Sequence, residues 1–134
     1  MASFVVDASV ALAWCFDDEA TAATDALLGR AAAEGVVVPP LWFLEVANAL
    51  LTAERRGRLT PEQTLEVLSR LGALPAERDG AAVSPTAVLA LARAQRLTAY
   101  DASYLELAIR RGLPLATLDG ELRRAGEAAG VPLL

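Results

Sequence analysis

The sequence contains four carboxylates whose positions suit one shared chemical site: Asp7, Glu45, Asp101 and Asp119. It contains no His and a single Cys, so zinc and haem sites, Ser-His-Asp triads and Cys-His pairs are excluded or nearly so. Carboxylate oxygens are hard ligands that select Mg²⁺ or Mn²⁺. Four of them together would repel one another and raise some of their pKa values unless cations balance the charge. Two such ions, roughly 3.5 to 4 Å apart, activate water and stabilise the leaving oxygen in phosphodiester cleavage.

Two of the acids follow predicted strands. The apolar run Phe4-Val5-Val6 ends at Asp7, and Leu113 to Leu118 ends at Asp119. Short apolar runs of this kind are typical of buried parallel strands. Ligands of open α/β sheets bind beyond the carboxyl ends of the strands, so both acids are expected at one edge.

Glu45 lies on a predicted helix from Leu41 to about Arg56 that is apolar almost all round and is therefore expected to be deeply buried. Glu45 and Asn48 are its only polar residues before Thr52, and a spacing of three places them on one face. A carboxylate on a buried helix is costly unless it is paired or bound to metal. An internal pairing with an Arg is the ordinary explanation, and a metal-binding role is the functional one.

Asp101 begins another predicted helix and shares its inner stripe with Tyr104, Leu105 and Ala108. Capping offers an ordinary role for three of the acids. Asp7 and Asp119 suit N-caps, and Asp101 suits the third helical position after Thr98. Capping and a joint metal site remain open at this stage.

The remaining pattern alternates strands and helices, which indicates a single α/β domain over residues 1–134 with a mainly parallel sheet of about five strands. An edge strand is predicted at Val131-Pro132-Leu133, where Pro is tolerated, and a capping box at Thr60 and Gln63. A strand is predicted at Val36–Val38, and a short strand or an extended connection near Ala81–Ser84. The other predicted elements are helices: one over Ala20–Ala33 opened by Asp17-Asp18-Glu19, one to about Leu71 with Leu65, Leu68 and possibly Leu71 facing the core, and two over Pro85–Arg96 and about Glu121–Ala129.

The formal charge is −5, and all twelve basic residues are Arg. This balance argues against nucleic-acid binding by bulk charge, so such a contact must be local or metal-assisted. Three Arg clusters serve either as solvated surface or as a basic rim that holds phosphates: Arg55-Arg56-x-Arg58, Arg110-Arg111 and Arg123-Arg124.

Cys15 is expected in the core, which suits the cytoplasm. No apolar run reaches the roughly 18 to 20 residues of a membrane span. The aromatic residues Trp14, Phe16, Trp42 and Phe43 are predicted in the core, with a groove for a partner helix or a dimer face as the alternative for some of them.

The order of these motifs resembles the PIN-domain ribonucleases, and within them the VapC-type toxins of toxin–antitoxin pairs. The motifs that carry the resemblance are Asp7-Ala8-Ser9 after a strand, Glu45-x-x-Asn48 on an apolar helix, Tyr100-Asp101-Ala102 at a helix start and Thr117-Leu118-Asp119 after a strand. The resemblance implies a three-layer α/β/α sandwich and a Mg²⁺- or Mn²⁺-dependent endoribonuclease, commonly a homodimer. It also implies inhibition by a cognate antitoxin and structured RNA substrates such as tRNA or rRNA.

Carried over to this sequence, the resemblance assigns the acidic quartet to Asp7, Glu45, Asp101 and Asp119. Asp7, Asp101 and Asp119 would hold metal, and Glu45 would bind or orient the metal or its water. Ser9, Asn48 and Thr117 match neighbouring polar positions that hold water or orient a carboxylate, although local bonds to the backbone explain them equally well.

Two other classes of protein fit part of this pattern. One is a PIN-fold module that binds metal or a partner's Arg without turnover. The other is an acid-based phosphohydrolase or phosphoacceptor. Asp7-Ala8-Ser9 lacks the second Asp of a haloacid-dehalogenase-type loop, and the chain has no Lys for a phosphate contact.

Overall fold

The computed structural model describes residues 2–134 and is built on a parallel sheet flanked by helices. Four strands pair in the order β3-β2-β1-β4, which places β1 at the centre between β2 and β4. Every residue of β1 and β2 is buried, as expected for strands covered on both faces. The strands are β1 (Phe4–Val6), β2 (Val36–Val38), β3 (Ala76–Arg78) and β4 (Leu115–Ala116).

Helices connect the strands and cover the sheet, which confirms the predicted α/β class. Local signals set several of their ends. Thr60 and Gln63 form the predicted capping box, and Gly112 ends a helix in the left-handed region at φ 63°. The helices are α1 (Ala8–Cys15), α2 (Ala22–Glu34), α3 (Pro40–Arg55), α4 (Pro61–Gly72), α5 (Pro85–Gln95), α6 (Ala99–Arg111) and α7 (Gly120–Ala128). None of the helices within residues 2–134 is both long and apolar enough to cross a membrane.

The core joins the sheet to the inner faces of α1, α3 and α6. Tyr104, Leu105 and Ala108 are buried as the sequence predicts, and Asp101 on the same stripe is half-buried. Phe16 and Trp42 are buried, whereas Trp14 and Phe43 are half-buried. Cys15 is a buried free thiol, and burial raises its pKa to about 11.

The sheet has four strands where about five were predicted. The predicted strand from Leu113 to Leu118 narrows to Leu115–Ala116, and the C-terminal edge strand is reduced to one bridge between Leu115 and Leu133. Pro114 and Pro132 explain the shortening, because neither has an N–H to extend the ladder. Their carbonyls still accept bonds from Val5 and Leu115, respectively.

The edge strand β3 lies at Ala76–Arg78. Of the two predictions for Ala81–Ser84, the strand is wrong, and the segment is a connection without regular secondary structure. Glu77 and Arg78 are exposed, as is common for charged side chains on an edge strand. The backbone of β3 pairs with β2 in register, Val36 opposite Ala76. Because two of its three residues are charged, this strand lacks the apolar pattern by which strands are predicted from sequence.

The acidic run Asp17–Glu19 forms a separate 3-10 turn, and it does not open α2 as predicted. Thr21 begins α2 instead, through a capping box with Thr24. The box satisfies N–H groups at the N-terminus of α2, where the acidic run was expected to supply charge that suits the helix dipole.

Two helical faces differ from the prediction. Helix α3 buries one stripe, while Leu44 is 71% exposed and Leu51 is also exposed, so it is not buried all round. On α4, Leu65 (68% exposed) and Leu68 face outward, and only Leu71 of the three predicted leucines is buried. The buried residues of these helices are Trp42, Val46, Leu50 and Ala53 on α3, and Thr64, Val67 and Leu71 on α4.

Candidate active site

Asp7 lies where β1 ends and α1 begins, and only 5% of it is exposed. It caps α1 by accepting the Val10 N–H at 3.3 Å. Its carboxylate also accepts the Ser9 hydroxyl at 2.6 Å and the Thr117 hydroxyl at 2.5 Å. Burial raises the pKa of Asp7, and these donors oppose the rise by stabilising the charged form. Asp7 is therefore both a cap and a carboxylate held in a fixed orientation.

Thr117 connects Asp7 to Asp119. Its hydroxyl donates to Asp7 and accepts the Asp119 N–H at 3.0 Å, while Ser9 accepts the Leu118 N–H at 2.9 Å. Asp119 itself is exposed and caps α7 through the Leu122 N–H at 3.0 Å. Because β1 and β4 are neighbours, the two acids stand at the same sheet edge, as the sequence predicts.

Glu45 is half-buried on α3 and accepts the Tyr104 hydroxyl at 2.5 Å. Among the described residues no Arg forms an ion pair with Glu45, so the internal pairing with an Arg is not observed. Tyr104 was predicted only as a core residue. Burial and then the bond to Glu45 raise its pKa, so it remains a neutral donor that orients the carboxylate.

Asp101 provides the link among all four acids. It lies in the first turn of α6, where its N–H donates to the Thr98 hydroxyl at 3.1 Å. Burial raises the pKa of its carboxyl, and the negative charges of Asp119, Glu45 and Asp7 raise it further. The predicted acids therefore lie near enough to one another for their charges to interact.

The acids lie near one another without converging on one point. Within residues 2–134 no three Asp, Glu, His or Cys side chains are close enough to coordinate one ion as they stand. Mg²⁺ usually keeps several waters and takes only one or two carboxylates directly. An all-oxygen donor set with crowded negative charge fits such a hydrated divalent cation.

The three supporting positions have different surroundings. Ser9 and Thr117 both donate to Asp7. Asn48 is exposed one turn after Glu45, and its side chain has no hydrogen bond within the described part of the chain. Ser9 and Thr117 therefore orient an acid, and Asn48 is available to solvent or a ligand.

Most of the clustered arginines support the fold. Arg110 pairs with Asp79 at 2.6 Å, and Arg111 pairs with Glu77. Asp79 follows β3 just as Asp7 follows β1. Its neutralisation by Arg110 lowers the pKa of Asp79, which makes it a structural acid.

The other two clusters differ from each other. Arg123 donates to the carbonyls of Thr117 and Leu134, and Arg124 donates to the carbonyl of Gln95. Among residues 2–134, the exposed Arg55 and Arg56 have no ion pair, so they are the clustered arginines that are free to meet an anion.

Comparison with known proteins gives the same fold over almost the whole chain. The PIN domain family model matches residues 4–128. The crystal structure of PAE2754 from Pyrobaculum aerophilum is similar, with a TM-score of 0.74, 28% identity, and coverage of 98% of this chain and 83% of that chain. No curated protein matches the sequence. On the family match, the strand order and the acids at one sheet edge, this chain belongs to the PIN domain family, generally a family of metal-dependent nucleases.

Proposed function

We propose that this protein is a Mg²⁺- or Mn²⁺-dependent endoribonuclease of the VapC type. The observation that carries the proposal is the sheet edge where Asp7 and Asp119 follow the paired strands β1 and β4 and are joined through the Thr117 hydroxyl. The charges of Asp119, Glu45 and Asp7 add to burial in raising the pKa of Asp101, so negative charge is crowded at this edge. Such crowding is unfavourable in the metal-free protein and becomes favourable when a divalent cation is bound. PIN domains are generally nucleases, which makes a phosphodiester the natural substrate.

In this proposal, Asp7, Asp101 and Asp119 hold the metal, and Glu45 binds or orients the metal or its water. A bound divalent cation supplies an activated water and balances charge on the phosphate, which replaces a His base. Ser9 and Thr117 hold the Asp7 carboxylate by hydrogen bonds of 2.6 and 2.5 Å, so it does not reorganise during the reaction. Tyr104 fixes Glu45 in the same way.

The proposed partners are a structured RNA of the tRNA or rRNA class, a cognate antitoxin and a second copy of this chain, all in the cytoplasm. The exposed stripe Leu44, Ala47 and Leu51 on α3 supports a protein interface, because exposed apolar side chains on one face mark such surfaces. The exposed and unpaired Arg55 and Arg56 support a phosphate contact.

The proposal is tested by cleavage of purified tRNA and rRNA with Mn²⁺, Mg²⁺ or EDTA, using protein freed of copurifying partners. Discrete fragments are expected only with metal, and Asp7→Asn and Asp101→Asn should abolish them. Asp79→Asn is the matched control, since this acid also follows a strand but pairs with Arg110, and its cleavage should equal that of wild type. Equal cleavage by all variants would point to a contaminating nuclease and refute the proposal.

The alternative is a PIN-fold module that binds metal or a partner without turnover. Titration calorimetry separates the two. Metal binding by a folded wild-type protein that leaves both RNAs intact would favour the binding module.

A further inference from the structure

Two exposed apolar side chains lie next to the acids in sequence. Tyr100 precedes Asp101 and is 64% exposed, and Leu118 precedes Asp119 and is 53% exposed. Exposed side chains of this size add little to the core. Their positions raise the question of what they contact when a substrate is bound.

The helix places Tyr100 above the site. It lies one turn before Tyr104, so the two rings occupy the same face of α6. The Tyr104 hydroxyl reaches Glu45, and side chains on a helix lean toward its N-terminus. Tyr100 therefore lies beyond Tyr104 on the side of the α6 N-terminus, where Asp101 meets the other acids.

The backbone beside Leu118 is fixed at the same edge. The Leu118 N–H donates to Ser9 at 2.9 Å, and Ser9 donates to Asp7 at 2.6 Å. Within residues 2–134, the Tyr100 side chain makes no hydrogen bond and packs against no other aromatic ring. The Tyr100 ring is therefore free to stack on another group.

Electrostatics makes such a group important for RNA binding. The chain carries a net charge of −5, and the Arg110, Arg111 and Arg124 side chains are already held by carboxylates. Attraction to the phosphate backbone, the usual source of affinity for nucleic acid, is correspondingly weak here. Stacking of a base on an aromatic ring supplies affinity that does not depend on charge.

We propose that Tyr100 is a positioning residue that stacks on an unpaired nucleobase beside the scissile phosphate, with Leu118 as a second apolar contact. This inference rests on the proposed endoribonuclease function and adds a residue that selects unpaired RNA. Bases in a duplex are stacked on one another and present no free face to Tyr100. The site should therefore prefer single strands and loops over helices.

Binding is measured first by fluorescence anisotropy in EDTA, with a fluorescein-labelled ten-nucleotide oligoadenylate as the probe. Tyr100→Ala should raise the Kd about 5- to 150-fold, the range for loss of one stacked base. Tyr100→Phe keeps the ring and should stay within about twofold of wild type. Leu65→Ala is the control, because it removes a similarly exposed side chain (68%) from α4, which carries none of the four acids.

Kinetics then separates stacking from a merely structural role. On a short RNA that spans the mapped cleavage position, Tyr100→Ala should raise KM with little change in kcat, and Tyr100→Phe should restore KM. Removing the base next to the cleaved bond should raise KM for wild type but leave the Tyr100→Ala value unchanged.

Three outcomes would overturn the inference: no measurable binding of oligoadenylate by wild type, an unchanged Kd in a folded Tyr100→Ala variant, or a normal KM for cleavage by that variant. Failure of the proposed function is seen separately, as an absence of metal-dependent cleavage by wild type. Cleavage with a normal KM in Tyr100→Ala would keep the nuclease and reject the stacking role.

Discussion

Replacing Thr117 by valine removes one hydroxyl and leaves the shape of the side chain almost unchanged. Thr117 is 1% exposed, donates to Asp7 at 2.5 Å and accepts the Asp119 N–H at 3.0 Å. The substitution therefore removes a donor from a buried carboxylate and an acceptor from a backbone amide, without opening a cavity.

The magnitude follows from the two lost bonds. A hydrogen bond to a charged group contributes about 1.5 to 3 kcal/mol, and a neutral bond contributes about 1 kcal/mol. Thr117→Val should lower the free energy of unfolding by about 3 kcal/mol, a large part of the 5 to 15 kcal/mol typical of a domain. Thr117→Ser keeps the hydroxyl and loses one buried methyl group, which costs only about 1 kcal/mol.

The assay is urea unfolding at pH 7 in EDTA, followed by tryptophan fluorescence. With an m-value of about 1.5 kcal/mol/M, the midpoint should fall by about 2 M for the valine variant and by less than about 1 M for the serine variant. RNA cleavage should be retained by Thr117→Ser and lost by Thr117→Val, because Asp7 is no longer held toward the site.

The decisive comparison is the order of the two variants. Thr117→Ser removes more volume, and Thr117→Val removes more hydrogen bonding. The order of their stabilities therefore shows whether packing or hydrogen bonding contributes more at this position. A valine variant as stable as wild type, or more stable than the serine variant, would show that packing and not the hydroxyl holds this position.

Three further changes have definite signs. Asp79→Asn removes the ion pair with Arg110. The lowered pKa of Asp79 means that its stabilisation is present above the unfolded pKa of about 3.9 and is lost as pH falls through the folded value. In urea unfolding at pH 7, the free energy of unfolding of wild type should exceed that of the variant by about 1 kcal/mol, and the two should be equal at about pH 2. The same difference at both pH values would contradict this. Arg96→Gly relieves a positive φ of 56° and should raise stability by about 1 kcal/mol in thermal unfolding, so a lower Tm would refute it. The raised pKa of Asp101 in wild type means that its charged form destabilises the folded protein, a cost that appears as pH rises through that pKa. Asp101→Asn has no such charge and should be more stable than wild type in EDTA at pH 7. Added Mn²⁺ should narrow this Tm difference, and a less stable variant in EDTA would contradict the expected charge crowding.

Several features of this fold are predictable from the sequence because their signals are local. The Thr60–Gln63 capping box and the stripe of Tyr104, Leu105 and Ala108 depend on spacing within one element. The edge shared by Asp7 and Asp119 follows from parallel pairing, which the apolar runs already indicate.

The errors arise where two faces or two partners compete. On α4, two sets of residues have helical spacing and are offset by one position. Thr64 and Val67 are buried in the fold, whereas Leu65 and Leu68 of the other set are exposed. Periodicity alone does not separate such faces. The Tyr104 partner of Glu45 lies 59 residues away, a distance over which spacing rules carry no information.

The hydrogen bond between Thr117 and Asp7 also has a consequence for the order of folding, because it joins residues 110 positions apart. During synthesis from the N-terminus, β1, β2 and β3 are made before β4. Asp7 remains without its Thr117 donor throughout that time, and Asp119 does not yet exist. Contacts of such long range form slowly because a large loop must close. The group of carboxylates is therefore incomplete until β4 has been added to the sheet, and a nascent or truncated chain that lacks β4 has neither Asp119 nor the Thr117 donor to Asp7.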